Sequence, residues 1–102
     1  MKLLFVCTHN ISRSRTGEDL FKLKHETKSA GTHEYATTPI TQQAIDWADK
    51  IIVMENKHVV HIMNKFKVKK TIINLDIPDI YVYMEDELVE IMKNKFNNLN
   101  LT

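Results

Sequence analysis

The one cysteine of the chain, Cys7, opens the segment Cys7-Thr8-His9-Asn10-Ile11-Ser12-Arg13-Ser14. Five residues between a thiol and a guanidinium let a loop circle one tetrahedral oxyanion, its backbone N–H groups turned inward as an anion nest. A helix starting where the loop ends adds free N–H groups and the positive end of its dipole. Arg13 then clamps two oxygens through paired charge-assisted hydrogen bonds. The same positive field favours the thiolate form of a cysteine at the loop's base. Ser14 is placed to donate a hydrogen bond to that sulfur. Asn10 can brace the loop, because its side chain bonds locally and tolerates left-handed backbone. Thr8, His9, Asn10, Ile11, Ser12, Arg13 and Ser14 are therefore the expected phosphate-binding residues, with Cys7 as the nucleophile.

A free cysteine is more often a small buried hydrophobe. Against that stands the distribution of arginine. Lys and Arg total 14, yet the arginines are Arg13 and Arg15 alone, both close to Cys7. A lysine-rich chain that keeps arginine beside its thiol suggests a site in need of a rigid guanidinium fork.

A thiolate that displaces an alkoxide or phenoxide from phosphorus needs a proton for the leaving group. Leu75-Asp76-Ile77-Pro78-Asp79-Ile80-Tyr81 offers two carboxyl groups, Asp76 and Asp79, in a turn stiffened by Pro78. Either suits a general acid, and both also suit an ordinary solvated turn. Tyr81 and Tyr83 are rim candidates that would stack on an aromatic leaving group, the alternative being packing on the last helix. His58 and His61 are three apart, but no carboxylate or thiol motif joins them, so a helix-surface or part-packed role is expected and no metal site. Lys65, Lys67, Lys69 and Lys70 read as a solvated basic loop.

The elements that must position these groups follow from apolar patterning. Leu3 to Val6, Ile51 to Met54 and Thr71 to Leu75 read as strands, the first two as unbroken apolar runs. Such runs suit strands covered on both faces. Thr27 to Ala30 is a weaker strand closed by Gly31. Helices are expected from Ser12 to about His25, from Thr38-Pro39 onward, around Val59, Ile62, Met63 and Phe66, and from Glu85 to Leu99. Thr38 would cap the second with Pro39 in its first position, and Ile40, Ala44, Trp47 and Ala48 would form its buried stripe. The order β-α-β-α-β-α-β-loop-α argues a parallel sheet with helices on both faces. Ligands bind such sheets at the carboxyl edge of the strands, where Cys7, Asp76 and Asp79 all fall.

The 102 residues, with no repeat or low-complexity linker, fit one small domain. Asp and Glu total 13, leaving a net charge of +1, too balanced for an electrostatic nucleic-acid or membrane binder. No apolar run approaches the roughly 18 residues of a membrane span, and Leu3 to Val6 is too short for a signal peptide. One cysteine makes no internal disulfide, and the cytoplasm is the expected compartment.

Val6-Cys7-x5-Arg13-Ser14, Ser29-Ala30-Gly31-Thr32, Ala48-Asp49-x-Ile51-x-Val53-Met54 with His58, and Asp79-x-Tyr81 together resemble the low-molecular-weight protein tyrosine phosphatase family in a shortened form. The resemblance implies an α/β, flavodoxin-like three-layer sandwich with a four-stranded parallel sheet of order 2-1-3-4. It implies hydrolysis of phosphotyrosine or other aryl phosphates through a phosphocysteine, without cofactor. Cys7 would be the nucleophile, Arg13 the clamp, Ser14 the partner of the thiolate and Asp79 the acid and then the base. Asp76 is the rival acid, because Ile80 replaces the proline that follows the family's aspartate. Ser12 replaces a second loop cysteine, His9 a glycine and Arg15 a proline. The expected partner is a phosphotyrosine protein or a small aryl phosphate. A non-catalytic phosphate-binding module and an arsenate reductase using external thiols are the alternatives.

Overall fold

The computed structural model describes residues 1–101. Its elements in chain order are β1 (Lys2–Cys7), α1 (Arg13–Phe21), β2 (Glu26–Gly31), α2 (Gln42–Trp47), β3 (Lys50–Val53), α3 (Asn56–Lys65), β4 (Ile72–Asn74) and α4 (Asp86–Asn97). The strands pair in parallel in the order β2-β1-β3-β4. A parallel sheet is what the patterning leads one to expect, and this order, with β1 and β3 central, is the one the family resemblance implies. Their unbroken apolar runs fit that place, since a central strand with helices on both sides exposes neither face.

Alternation along β1 divides the core in two. Leu3, Phe5 and Cys7 face one side, with Leu88, Met92 and Phe96 of α4 and with Leu20 and Phe21 of α1. Leu4 and Val6 face the other, with Ile45 of α2 and Ile62 of α3. Cys7 is thus the last inward residue of a buried strand, and the chain leaves the sheet beside its thiol.

Three expected helices differ in detail. α2 begins at Gln42, capped by Thr41, whose Oγ1 accepts the N–H of Ala44. The stretch before it is extended: Gly31 N–H donates to Thr38 O, and Ile40 N–H donates to Gly31 O. Pairing with the β2 edge therefore draws Thr38 and Pro39 out of the helix they were expected to open. Ile45, outside the expected stripe, is the residue α2 buries. On α3, Met63 is exposed and His58 is buried instead. α1 ends at Phe21, short of His25.

Lys70 also departs from the solvated loop expected of its cluster. Its Nζ donates to Ile45 O at 2.8 Å and to Asp46 O, and also bonds Ala48 O. A cation there satisfies carbonyls that the end of α2 leaves open.

Candidate active site

The loop from Cys7 to Arg13 leaves β1 and enters α1 at the carboxyl edge of the sheet. Asn10 turns it with a left-handed φ of 56°, a conformation asparagine reaches more cheaply than most residues. Asn10 Nδ2 donates to Ser14 Oγ at 2.8 Å, and Ser14 Oγ lies 2.9 Å from Cys7 Sγ. With its lone pair engaged by Asn10, the Ser14 hydroxyl is left to donate to the sulfur. Both side chains are buried.

A second segment braces the loop from outside. Thr32 N–H donates to Cys7 O, His33 N–H to Thr8 O, and Thr37 N–H to His9 O. Gly31 lies where a side chain has no room. A Cβ there would stand 2.6 Å from Thr8 O and 3.0 Å from Asn10 N, both backbone atoms of the loop. The ring of His33 lies 5.1 Å from that of His9, and exposed Tyr35 lies 5.7 Å beyond.

Arg13 is 1% exposed, and its charge is met from two directions. Nη1 donates to Glu55 Oε2 at 2.5 Å and to Ile77 O at 2.7 Å. Nε is buried without a hydrogen-bond partner among the described residues, and Asp79 Oδ1 lies 3.7 Å from it. A buried guanidinium with an open N–H is a donor awaiting an anion. Burial alone would raise the Glu55 carboxyl, but the hydrogen bond and charge of Arg13 outweigh it and hold the group below its ordinary value.

Cys7, His9, Ile11, Ser12, Arg13 and Asp79 line one cavity of about 180 Å³. The expected nucleophile, clamp and one of the two candidate acids are thereby brought together. Asp76 is not among them. Its φ is 53°, and it is tied into a local turn, its N–H donating to Asn74 Oδ1 and its Oδ1 accepting from Asn74 Nδ2. It opens on a separate hollow with Glu55, Asn56, Ile77 and Pro78.

Neither tyrosine lines the cavity. Tyr81 is 9% exposed and packs in the core beside Leu75, Ile77 and Leu88, so the rim position expected for it is replaced by an anchor. Burial, and then the Glu87 carboxylate, push its hydroxyl above the ordinary range. Tyr83 turns to α1, where its hydroxyl bonds Asp19 Oδ2.

Two residues that pattern reading missed stand behind the loop. Glu55 holds Arg13. His58, expected to lie on a helix surface or to be part-packed, is fully buried. Its Nδ1 accepts the N–H of Glu55 at 3.0 Å, so Nε2 carries the proton and donates to Thr8 Oγ1 at 2.9 Å. Burial, and then the charge of Arg13, lower His58 to about 4. It is a neutral strut between α3 and the loop.

This four-stranded parallel sheet of order 2-1-3-4 flanked by helices is the fold of the low molecular weight protein tyrosine phosphatases. The likeness is carried by structure. A low molecular weight protein tyrosine phosphatase from Streptococcus pyogenes superposes with a TM-score of 0.79 at 19% identity, over 96% of this chain and 89% of that one. A protein tyrosine phosphatase from Entamoeba histolytica, with Hepes in its active site, gives 0.74 at 21% identity over 97% and 94%. An arginine phosphatase from Geobacillus stearothermophilus gives 0.63 at 20% identity over 96% and 92%. No protein-family model and no curated protein matches the sequence. No helix among the described residues is long and apolar enough to cross a membrane.

Proposed function

We propose that this protein is a cysteine-dependent phosphatase that hydrolyses phosphotyrosine or other aryl phosphate monoesters through a phosphocysteine. The observation that carries the reading is the shared cavity: Cys7, whose thiol is bonded by Ser14, lines the same space as Asp79 and buried Arg13, whose Nε has no hydrogen-bond partner among the described residues. The Cys7 thiolate attacks phosphorus as the bond from phosphorus to the aryl oxygen breaks. Protonated Asp79 gives its proton to the departing phenoxide. The resulting carboxylate takes a proton from water, whose oxygen attacks the phosphocysteine. The phosphorus–sulfur bond breaks, and thiolate and inorganic phosphate are released. Loop N–H groups and Arg13 hold the charged equatorial oxygens throughout, the preorganised electrostatics that usually contribute most to such catalysis.

Asp79 is assigned the acid role over Asp76 because it opens on the thiol's cavity while Asp76 is committed to Asn74. Ile11, 62% exposed at the cavity, supplies an apolar wall that suits an aryl ring better than a charged guanidinium. Protein phosphotyrosine is the assigned physiological class.

Turnover of 4-nitrophenyl phosphate, a phosphotyrosine peptide and a phosphoarginine peptide by wild type and by Cys7→Ser tests the reading. Wild type is expected to release phosphate from the first two, and Cys7→Ser to be inactive while keeping its circular dichroism and melting transition. Full activity in Cys7→Ser refutes the mechanism. Preference for phosphoarginine refutes the substrate class.

A further inference from the structure

Asp79 is carried by a segment without regular structure, and how that segment is held matters to any proton transfer it makes. It runs between two non-glycine residues in left-handed conformation, Asp76 (φ 53°) and Met84 (φ 58°). The near end is fixed at the sheet, where Ile77 N–H donates to Met54 O and Ile77 O accepts from Arg13. At the far end Met84 N–H donates to Thr16 Oγ1 at 3.0 Å. Next to it, the Tyr83 hydroxyl bonds Asp19 Oδ2 on the same helix.

Thr16 is fully buried, and its hydroxyl serves two loops at once. Its proton goes to Ser12 O at 2.8 Å, back along the first turn of α1, a bond threonine commonly makes in helices. With the proton so directed, the oxygen lone pairs are left to accept from Met84. One atom therefore joins the last turn of the thiol loop to the segment carrying Asp79. Sequence patterning gives no sign of it, because Thr16 and Met84 are 68 positions apart.

We infer that Thr16 is a positioning residue for the proton-donating step: through Met84, and with Tyr83 and Asp19 as a second fastening, it holds Asp79 over Cys7. The inference rests on the phosphatase reading above. Ser12 O also accepts the backbone N–H of Thr16, so removal of the hydroxyl leaves the thiol loop bonded and orphans Met84 alone. The loss then falls on the acid and spares the nucleophile.

Leaving-group dependence reads that difference, since a poor leaving group needs the proton and a good one does not. Thr16→Val is expected to lower kcat/KM, which reads the steps up to leaving-group departure and not the later hydrolysis of the phosphocysteine, roughly tenfold on phenyl phosphate and less than about twofold on 2,4-dinitrophenyl phosphate. Thr16→Ser, which keeps the hydroxyl, restores the first rate. In an Asp79→Asn background, Thr16→Val adds no further selective loss, because the two changes remove one function. Equal losses on both substrates, or no loss on either, overturn the inference. Tyr83→Phe, an exposed and milder change, covers the case in which Thr16→Val does not fold, and a non-selective or absent effect there also overturns it. Amide exchange at Met84 reads the fastening without turnover: slow in wild type and fast in Thr16→Val if Thr16 is the anchor, unchanged if it is not. Wild type inactive on both esters refutes the phosphatase reading itself, whatever the exchange result.

Discussion

The two halves of the candidate site are built in opposite ways. On the thiol side Asn10, Arg13 and Ser14 are buried, and the loop is supported from several elements. β2 abuts it through Gly31, the segment after β2 through three backbone bonds, and α3 through Glu55 and His58. On the acid side Asp79 is 53% exposed, and Ile80 and Val82 beside it face solvent. Tyr81 and the fastening at Thr16 hold that segment. The contrast follows the chemistry. An anion cradle works by having its dipoles aligned before charge arrives, so any slack is lost stabilisation. A proton donor that becomes a base must meet both the leaving group and water, and it needs solvent access.

The contrast breaks first at Arg13. Arg13→Lys keeps the charge but cannot reach Glu55, Ile77 and an anion with one planar fork. It is expected to lower kcat/KM by ~10²–10³ on good and poor leaving groups alike. Steady-state kinetics on the two aryl esters check it. A loss confined to the poor leaving group would mean that Arg13 acts through Asp79 and that the halves are not separate.

Gly31 tests the support of the cradle without touching a reacting group. In Gly31→Ala the new methyl meets Ala36 Cβ of the bracing segment at 2.5 Å together with Thr8 O and Asn10 N of the loop, none of which can rotate away. Gly17 is the control, since a Cβ there would stand 2.4 Å from Phe5 Cδ1 in the core. Both alanine variants are expected to lose about 1–3 kcal/mol of stability in urea unfolding, the usual cost of overpacking. Gly31→Ala alone should also weaken inhibition by inorganic phosphate, by roughly tenfold. Equal phosphate affinity in the two variants would mean that the loop is not set by β2.

What the sequence made legible is local. The cysteine loop lies within eight consecutive residues, and the two central strands of the sheet are contiguous apolar runs, so spacing and periodicity carry both. Glu55, His58 and Thr16 act on partners 42, 50 and 68 positions away, and no window of pattern reaches that far. His58 misled for a physical reason: an imidazole at a helix start looks like surface until its two nitrogens are both bonded. The opening of α2 misled because Thr38-Pro39 carries a sound capping signal, which the open edge of β2 outcompetes by pairing with the same residues. The place of Tyr81 just after Asp79 suggests the rim, whereas the turn directs it inward, where it packs with the last helix among aliphatic side chains. Long-range competition for the same backbone groups decides such cases.

The smallest expected effect separates the two halves by pH. His58 supports the thiol side only while neutral, and it is surrounded by Arg13 and Lys57, which disfavour its charge, and by Glu55 and Asp79, which favour it. Its value falls from 6.5 to about 4, with burial the largest cause. Below the unfolded value the unfolded chain takes up a proton that the native protein refuses, so stability falls as pH drops from 6.5 toward 4. Between pH 7 and 5.5 this linkage is worth about 1 kcal/mol. Glu55, lowered from 4.5, loses its contribution at lower pH and stays out of this window. His25 and His61 are lowered by burial too and add to the slope with the same sign. Urea unfolding of wild type and His58→Gln at both pH values isolates the His58 share. The variant is expected to be less stable at pH 7 and to lose about 1 kcal/mol less on acidification. An identical slope in both proteins would show that the strut titrates freely and that the thiol side is no more rigidly neutral than the acid side.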